Sequence, residues 1–196
     1  MKILLIRHAK TSWNAQGRYQ GSVDIPASEE GLSELHPADF NPEKVYITSK
    51  QRTRQTAEKI FPDAALVEVP GLEEMCFGVF EGRNYEELKF DSDYTGWLDS
   101  ECESPIPNGE SKSGFQKRIA SAFEQLMQEA EGRDEENLVI VAHGGTQMAL
   151  LEQFGQPSRK YHEWLAKNGS GYLLDASSWK DKHILLLEKE VSFTSI

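Results

Sequence analysis

The stretch Ile3-Leu4-Leu5-Ile6-Arg7-His8-Ala9-Lys10-Thr11-Ser12-Trp13-Asn14 decides how the rest of this chain is read. Four branched apolar residues in a row read as a strand covered on both faces, the mark of a parallel sheet. The run stops at a cation, an imidazole and a polar loop. Open α/β sheets bind ligands just outside the carboxyl ends of their strands. A histidine held at such an end, with an arginine beside it, can attack phosphorus or hold a phosphate.

The same pattern recurs near the other end of the chain. Leu138-Val139-Ile140-Val141-Ala142 is a second buried strand, and it ends at His143-Gly144-Gly145 before a helix that runs through Phe154 and is closed by Gly155. Two such strands lying side by side would aim His8 and His143 into one crevice, where the two glycines let helix-terminal amides approach an anion. Arg7 and Arg52 would add planar guanidinium forks, which match phosphate oxygens better than an ammonium does.

Between these strands the chain alternates. Ser28 with Glu29 and Glu30 starts a brief helix interrupted by Pro37; Val45-Tyr46-Ile47 is a short strand; Gln51 to Phe61 is a helix stopped by Pro62; Ala65 to Val69 is a third strand. Thr11 to Pro26 reads as loop. Asn84 to Asn108 mixes acids with Tyr85, Phe90, Tyr94 and Trp97, and reads as an inserted lid over about residues 84–109. Phe115, Ile119, Ala122, Phe123, Leu126 and Ala130 recur at helical spacing, giving a long amphipathic helix that ends near Gly132. Tyr161 to Lys167 reads as a short helix. Tyr172 to Asp175 and His183 to Glu188 read as final strands, joined by a turn around Trp179. The expected architecture is a three-layer α/β/α sandwich with a mostly parallel central sheet, one domain over 1–196.

Composition narrows the function. A chain of 196 residues with 38% hydrophobic content can bury one sizeable core. A net charge of -11 argues against a general binder of nucleic acid or anionic membrane, so an anionic substrate would need a locally positive pocket. Cys76 and Cys102 are too few and too separated for a disulfide framework or a zinc site, and are expected to be free thiols. No run is long enough to span a membrane or to serve as a signal-peptide core. The expectation from composition is a cytoplasmic enzyme with no zinc site and no nucleic-acid or membrane partner; oligomeric state is left open.

Several motifs in order resemble the histidine phosphatase superfamily, the phosphoglycerate-mutase-like group. The family's Arg-His-Gly-Glu-Thr…Trp-Asn stands here as Arg7-His8-Ala9-Lys10-Thr11-Ser12-Trp13-Asn14, followed by Arg18, Gln20-Gly21, Asp24, Pro26 and Gly31. Its Ser-x-x-x-Arg-Ala-x-Gln-Thr-Ala stands as Thr48, Arg52, Thr53, Gln55, Thr56 and Ala57. Its Leu-x-Glu-x-x-Phe-Gly-x-x-Glu-Gly matches Leu72, Glu74, Phe77, Gly78, Glu81 and Gly82. Pro107-Asn108-Gly109-Glu110-Ser111 and Val141-Ala142-His143-Gly144-Gly145 complete the set. Ala9 replaces a glycine, Lys10 an acid and Thr48 a serine, while Cys76 stands where a polar or acidic residue is common.

The resemblance implies that His8 attacks phosphorus and that Arg7, Arg52 and His143, helped by Asn14, surround the phosphoryl oxygens. It implies that Glu74 is the general acid and base, and that Gln20, Gly21 and Gly144 line the substrate site. Glu73 would point away from the site. Within the family, the branch of small-molecule phosphatases that includes the α-ribazole phosphatases fits the length and motif set, which implies a small phosphomonoester as substrate and no metal or cofactor. The alternatives are a phosphoglycerate mutase, a protein phosphohistidine phosphatase and a degenerate module that binds a phospho-ligand without turnover. On the lid, Tyr85, Phe90, Tyr94 and Trp97 are expected to contact an organic leaving group. The acids Glu86, Glu87, Asp91, Asp93, Asp99, Glu101 and Glu103 are expected to repel a second anionic group, unless Lys89 or Lys112 turns inward.

Overall fold

The computed structural model describes residues 1–195. In chain order the elements are β1 (Lys2–Arg7), α1 (Ser12–Ala15), α2 (Glu29–Ser33), β2 (Lys44–Ile47), α3 (Gln51–Ile60), β3 (Ala65–Glu68), α4 (Tyr85–Leu88), α5 (Ser92–Asp99), α6 (Lys112–Gly132), β4 (Asn137–Ala142), α7 (Gly144–Phe154), β5 (Gly155–Gln156), β6 (Ser170–Asp175), α8 (Trp179–Lys182) and β7 (Leu185–Ser192). Single 3-10 turns at Gly78–Phe80 and Tyr161–Trp164 complete the list.

The strands form one mixed sheet in the order β3-β2-β4-β1-β6-β7-β5. The half that begins at β3 is parallel through β1, and β6 then runs antiparallel to both β1 and β7. Successive side chains on a strand face opposite ways, so β1 feeds two cores at once. Ile3 and Leu5 join Leu138 and Ile140 against α6 and α7, while Leu4 and Ile6 join Val139 and Val141 against α3. That division produces the three layers. It also explains why β1 and β4 are apolar without alternation.

Helix α6 follows the spacing read from the sequence. Ser111 caps it by accepting from the Gly114 amide at 3.1 Å, and Phe115, Ile119, Phe123, Leu126 and Ala130 are buried.

Four local expectations change. The loop from Thr11 holds α1, started by a reciprocal cap in which Thr11 Oγ1 accepts from the Asn14 amide and Asn14 Oδ1 accepts from the Thr11 amide, both at 3.1 Å. The 3-10 turn replaces a helix from Tyr161 to Lys167. The turn around Trp179 contains α8, which ends at His183 in the left-handed conformation with φ of 51°. The last strand therefore starts at Leu185, and β5 was not anticipated because its two residues carry no periodicity.

Parallel pairing sets Arg7 opposite Ala142. The residues that follow each, His8 and His143, therefore leave the sheet at the same level. Their ring centroids lie 5.4 Å apart.

Candidate active site

A pocket of about 570 Å³ opens at the carboxyl ends of β1 and β4, with Arg7, His8, Asn14, Gln20, Glu74 and Gly144 among its lining residues. A wider groove of about 780 Å³ lies at the opposite end of the sheet, near Lys2 and Asn137. Of the two lysines that line it, Lys2 is already taken by Asp175 and Glu188. The first pocket, at the carboxyl ends of the strands, sets Arg7 and His8, neither of them hydrogen-bonded to a carboxylate among the described residues, beside Glu74.

His8 is fixed on every side. Its amide donates to Ala142 O at 2.9 Å, and its Nδ1 lies 2.7 Å from Ala9 O. A carbonyl can only accept, so Nδ1 carries the proton and Nε2 keeps its lone pair. Burial, then the Arg52 and Arg7 charges, hold its pKa well below the usual histidine range. The ring is neutral at physiological pH and carries a free lone pair, the state a nucleophile needs.

Arg52 and His143 lie beneath the pocket floor, each with 0% exposure. Arg52 donates to Gly21 O at 2.9 Å, to Val23 O at 3.0 Å and, through Nε, to His143 Nδ1 at 3.3 Å. His143 Nδ1 is thus an acceptor, and its Nε2 proton goes to Thr48 Oγ1 at 2.9 Å. The threonine that replaces serine at position 48 keeps this bond. Burial and the Arg52 charge also hold His143 well below the usual histidine pKa.

The Gly21 to Val23 loop is gripped from both sides. Its carbonyls take Arg52, and its amides at Ser22 and Val23 donate to Glu81 at 2.7 and 2.8 Å. Gly21 is not on the pocket wall. A side chain there would meet Met75 O at 1.9 Å, so the residue serves close packing and anchors Arg52. Gln20 does line the pocket, with its Oε1 accepting from Thr11 Oγ1 at 2.7 Å.

Arg7 donates through one terminal nitrogen to Ala166 O at 2.9 Å, but its buried Nε has no partner. A buried charged donor left open marks a place for an anion, because leaving it unpaired costs about 1–3 kcal/mol. Burial lowers the pKa of Arg7 and of Arg52, opposed by the Glu74 carboxylate.

Glu74 accepts from the Gly145 and Met75 amides, each at 2.8 Å. The helix-terminal amide expected to meet a bound anion at Gly145 is therefore already on Glu74, while Gly144 remains on the pocket wall. Burial raises the Glu74 pKa against the opposing pull of those two amides and the arginines. Glu73 folds back onto the Gly71 amide at 2.7 Å, away from the site.

Arg118, which nothing in the sequence singled out, braces this segment. It makes a two-pronged pair with Glu110 at 2.7 and 2.8 Å and donates to the carbonyls of Gly71, Glu73 and Glu74. It interrupts the apolar stripe of α6 one position before Ile119, a weak signal visible only in hindsight.

The lid expectation needs correction. Tyr94 is 2% exposed and lies in the core, with its hydroxyl 2.9 Å from that of Tyr19. Phe90 is 91% exposed and Tyr85 also faces out; of the four aromatics only Trp97 reaches the pocket. The other apolar lining comes from Tyr19, Met75, Phe77, Met148, Tyr161 and Leu165. No acid of residues 86–103 lines the pocket. Glu87 pairs with Arg18, Asp91 with Arg83 and Glu103 with Lys112. Lys112 does turn inward, with its ammonium over the Tyr161 ring at 5.3 Å, whereas Lys89 pairs with Glu86 outside.

This arrangement coincides with a known pattern: the family model of the histidine phosphatase superfamily (branch 1) matches residues 3–186. The chain belongs to that superfamily. A metal-independent phosphoserine phosphatase of Arabidopsis thaliana is 30% identical over 188 residues, covering 90% of this chain and 74% of that protein. An adenosylcobalamin/alpha-ribazole phosphatase of Escherichia coli is 27% identical over 188 residues, covering 89% and 90%. The crystal structure of the alpha-ribazole phosphatase from Shigella flexneri superposes with a TM-score of 0.80 at 24% identity, over 100% of this chain and 96% of that one, a likeness in fold. The protein is a histidine phosphatase whose substrate is a small phosphate ester.

Among the described residues, no helix is long and apolar enough to cross a membrane, and no group of three or more histidine, cysteine or acidic side chains is placed to hold a metal ion.

Proposed function

We propose that this protein is a metal-independent phosphomonoesterase that works through a phosphohistidine at His8. The observation that carries the reading is the neutral His8 ring, with Nδ1–H committed to Ala9 O and Nε2 free, beside the unpartnered Nε of Arg7. His8 Nε2 attacks phosphorus, the bond to the leaving oxygen breaks, and Glu74 supplies the proton that oxygen needs. Water then attacks the phosphohistidine while Glu74 takes its proton, returning both groups to their starting states. Arg7 and Arg52, with Asn14, stabilise the charge on the transferring phosphoryl group. His143 holds the Arg52 fork through Nδ1.

The leaving-group end favours a monophosphate with a partly apolar body. Tyr19, Phe77, Trp97, Met148 and Tyr161 offer the contact area first assigned to the 84–109 segment. An α-ribazole 5'-phosphate fits that description. Lys112 supports a second reading, a carboxylate-bearing ester such as O-phosphoserine, whose carboxylate would compete with Glu103, 2.8 Å away, for the ammonium on that wall. kcat/KM over a panel of α-ribazole 5'-phosphate, O-phosphoserine, 3-phosphoglycerate, an aryl phosphate and a phosphohistidine peptide separates these readings. Turnover is expected to survive chelation. Efficient isomerisation of 3-phosphoglycerate with a bisphosphate primer would return the mutase alternative, and binding without turnover across the panel would return the non-enzymatic one.

A further inference from the structure

The turn before β6 grips the nucleophile strand more closely than any feature of the sequence implies. Ala166 O accepts from Arg7 at 2.9 Å, the Gly169 amide donates to Arg7 O at 3.0 Å and to His8 O at 3.3 Å, and Asn168 Nδ2 donates to His8 O at 2.9 Å and to Asn14 Oδ1 at 3.3 Å. Gly169 makes this turn with φ of 69°. Asn168 itself lines the pocket.

These bonds fall on two units whose orientation matters for phosphoryl transfer. The first is the peptide between His8 and Ala9. Its carbonyl is held by Asn168 and its N–H donates to Thr56 Oγ1 at 2.8 Å. Because the His8 ring bonds to the next carbonyl, Ala9 O, rotation of that peptide would carry the ring and its Nε2 off line. The second unit is the Asn14 amide. Its Oδ1 takes two donors, Asn168 Nδ2 and the Thr11 amide. With the oxygen committed, Asn14 Nδ2 is the end left without a partner among the described residues, and Asn14 lies on the pocket wall.

We propose that Asn168 is a positioning residue for phosphoryl transfer, holding the His8–Ala9 peptide for in-line attack and turning the Asn14 amide so that its NH₂ faces the phosphate. This rests on the phosphohistidine reading of His8. Asn168 works through two residues and touches neither phosphorus nor the leaving group. An amide suits both acceptors because each needs a donor. Aspartate, of nearly the same shape, would set a carboxylate against two oxygens and push Asn14 to present its own oxygen to the phosphate.

The test uses Asn168→Ala, Asn168→Asp, Asn14→Ala and the Asn14→Ala/Asn168→Ala double variant with p-nitrophenyl phosphate. Quenched single turnovers with ³²P-labelled phosphomonoester report phosphorylation of His8. Both Asn168 variants are expected to slow phosphorylation and kcat by about 10- to 100-fold, the scale of a small misplacement of reacting groups, with KM changed about threefold or less. The double variant is expected to lose less than the product of the two single losses, because one effect passes through the other. A purely structural role would lower the melting temperature without that split or that coupling. Phosphorylation rates within twofold of wild type in both Asn168 variants, or losses that multiply in the double variant, would overturn the assignment. Asn168→Asp keeps the side-chain volume and answers the question if the alanine variant does not fold. A wild type that takes up no acid-labile label would instead overturn the phosphohistidine reading itself.

Discussion

The floor of the pocket and its outer wall are built on different terms. At and beneath the floor, the His8 backbone and the Gly21 and Val23 carbonyls are held by hydrogen bonds, Arg52 is anchored by one bond from each of its three nitrogens, and Arg52 and His143 are wholly buried. On the wall, Tyr19, Phe77, Trp97 and Tyr161 offer mainly surface, and Lys112 reaches in from the start of α6. The floor holds groups whose angles decide a rate, so a small displacement is costly. The wall holds groups whose contact area decides which ester is taken, and area tolerates exchange. Mutations should therefore act on kcat at the floor and on KM at the wall.

The largest effect is expected at the nucleophile. His8→Ala should lower kcat/KM by about 10⁵-fold and abolish the acid-labile adduct seen after rapid quenching with labelled substrate. Undiminished label in that variant would remove His8 from the centre of the floor.

Glu74→Gln comes next and sharpens the division. Proton transfer by a positioned group contributes about 10²–10⁴-fold, so alkyl phosphates should lose within that range. A p-nitrophenyl ester, whose leaving group needs no proton, should lose far less in the phosphorylation step. Equal losses on both esters would mean that Glu74 shapes the site without handling the proton.

The floor should also set the pH dependence of stability. His8 and His143 are held neutral by burial, with folded pKa values below that of an exposed histidine. Below about pH 6.5 the unfolded chain takes up protons there that the folded chain excludes, so stability falls as pH falls. Denaturant melts from pH 7.5 to 5.0 should show this slope, and His143→Gln should flatten it. An unchanged slope in that variant would show that other groups govern acid unfolding.

The smallest effects belong to the wall. Trp97→Leu is expected to raise KM for aryl phosphates about tenfold, roughly 1.4 kcal/mol of lost contact, with kcat changed less than about threefold. Tyr85→Ala and Phe90→Ala should stay within about twofold in both constants, because neither side chain lines the pocket. A strong effect of Phe90→Ala would mean that the 84–109 segment closes over bound substrate.

The sequence by itself marked the two central strands and the residues that follow them. Ile3 to Ile6 and Leu138 to Ala142 read as strands covered on both faces, and their parallel pairing brings the histidines that follow them together. Tertiary structure alone decided the wall and the braces. Trp97 faces the pocket while Tyr94, three residues before it on α5, enters the core, because the direction of a short helix is set by what packs on it; composition there is the same for both roles. Arg118 and Asn168 gain their tasks from carbonyls and side chains of segments 44 and 160 residues away in the chain. Local spacing carries no record of such partners, since a hydrogen bond is specified by where two atoms meet in space.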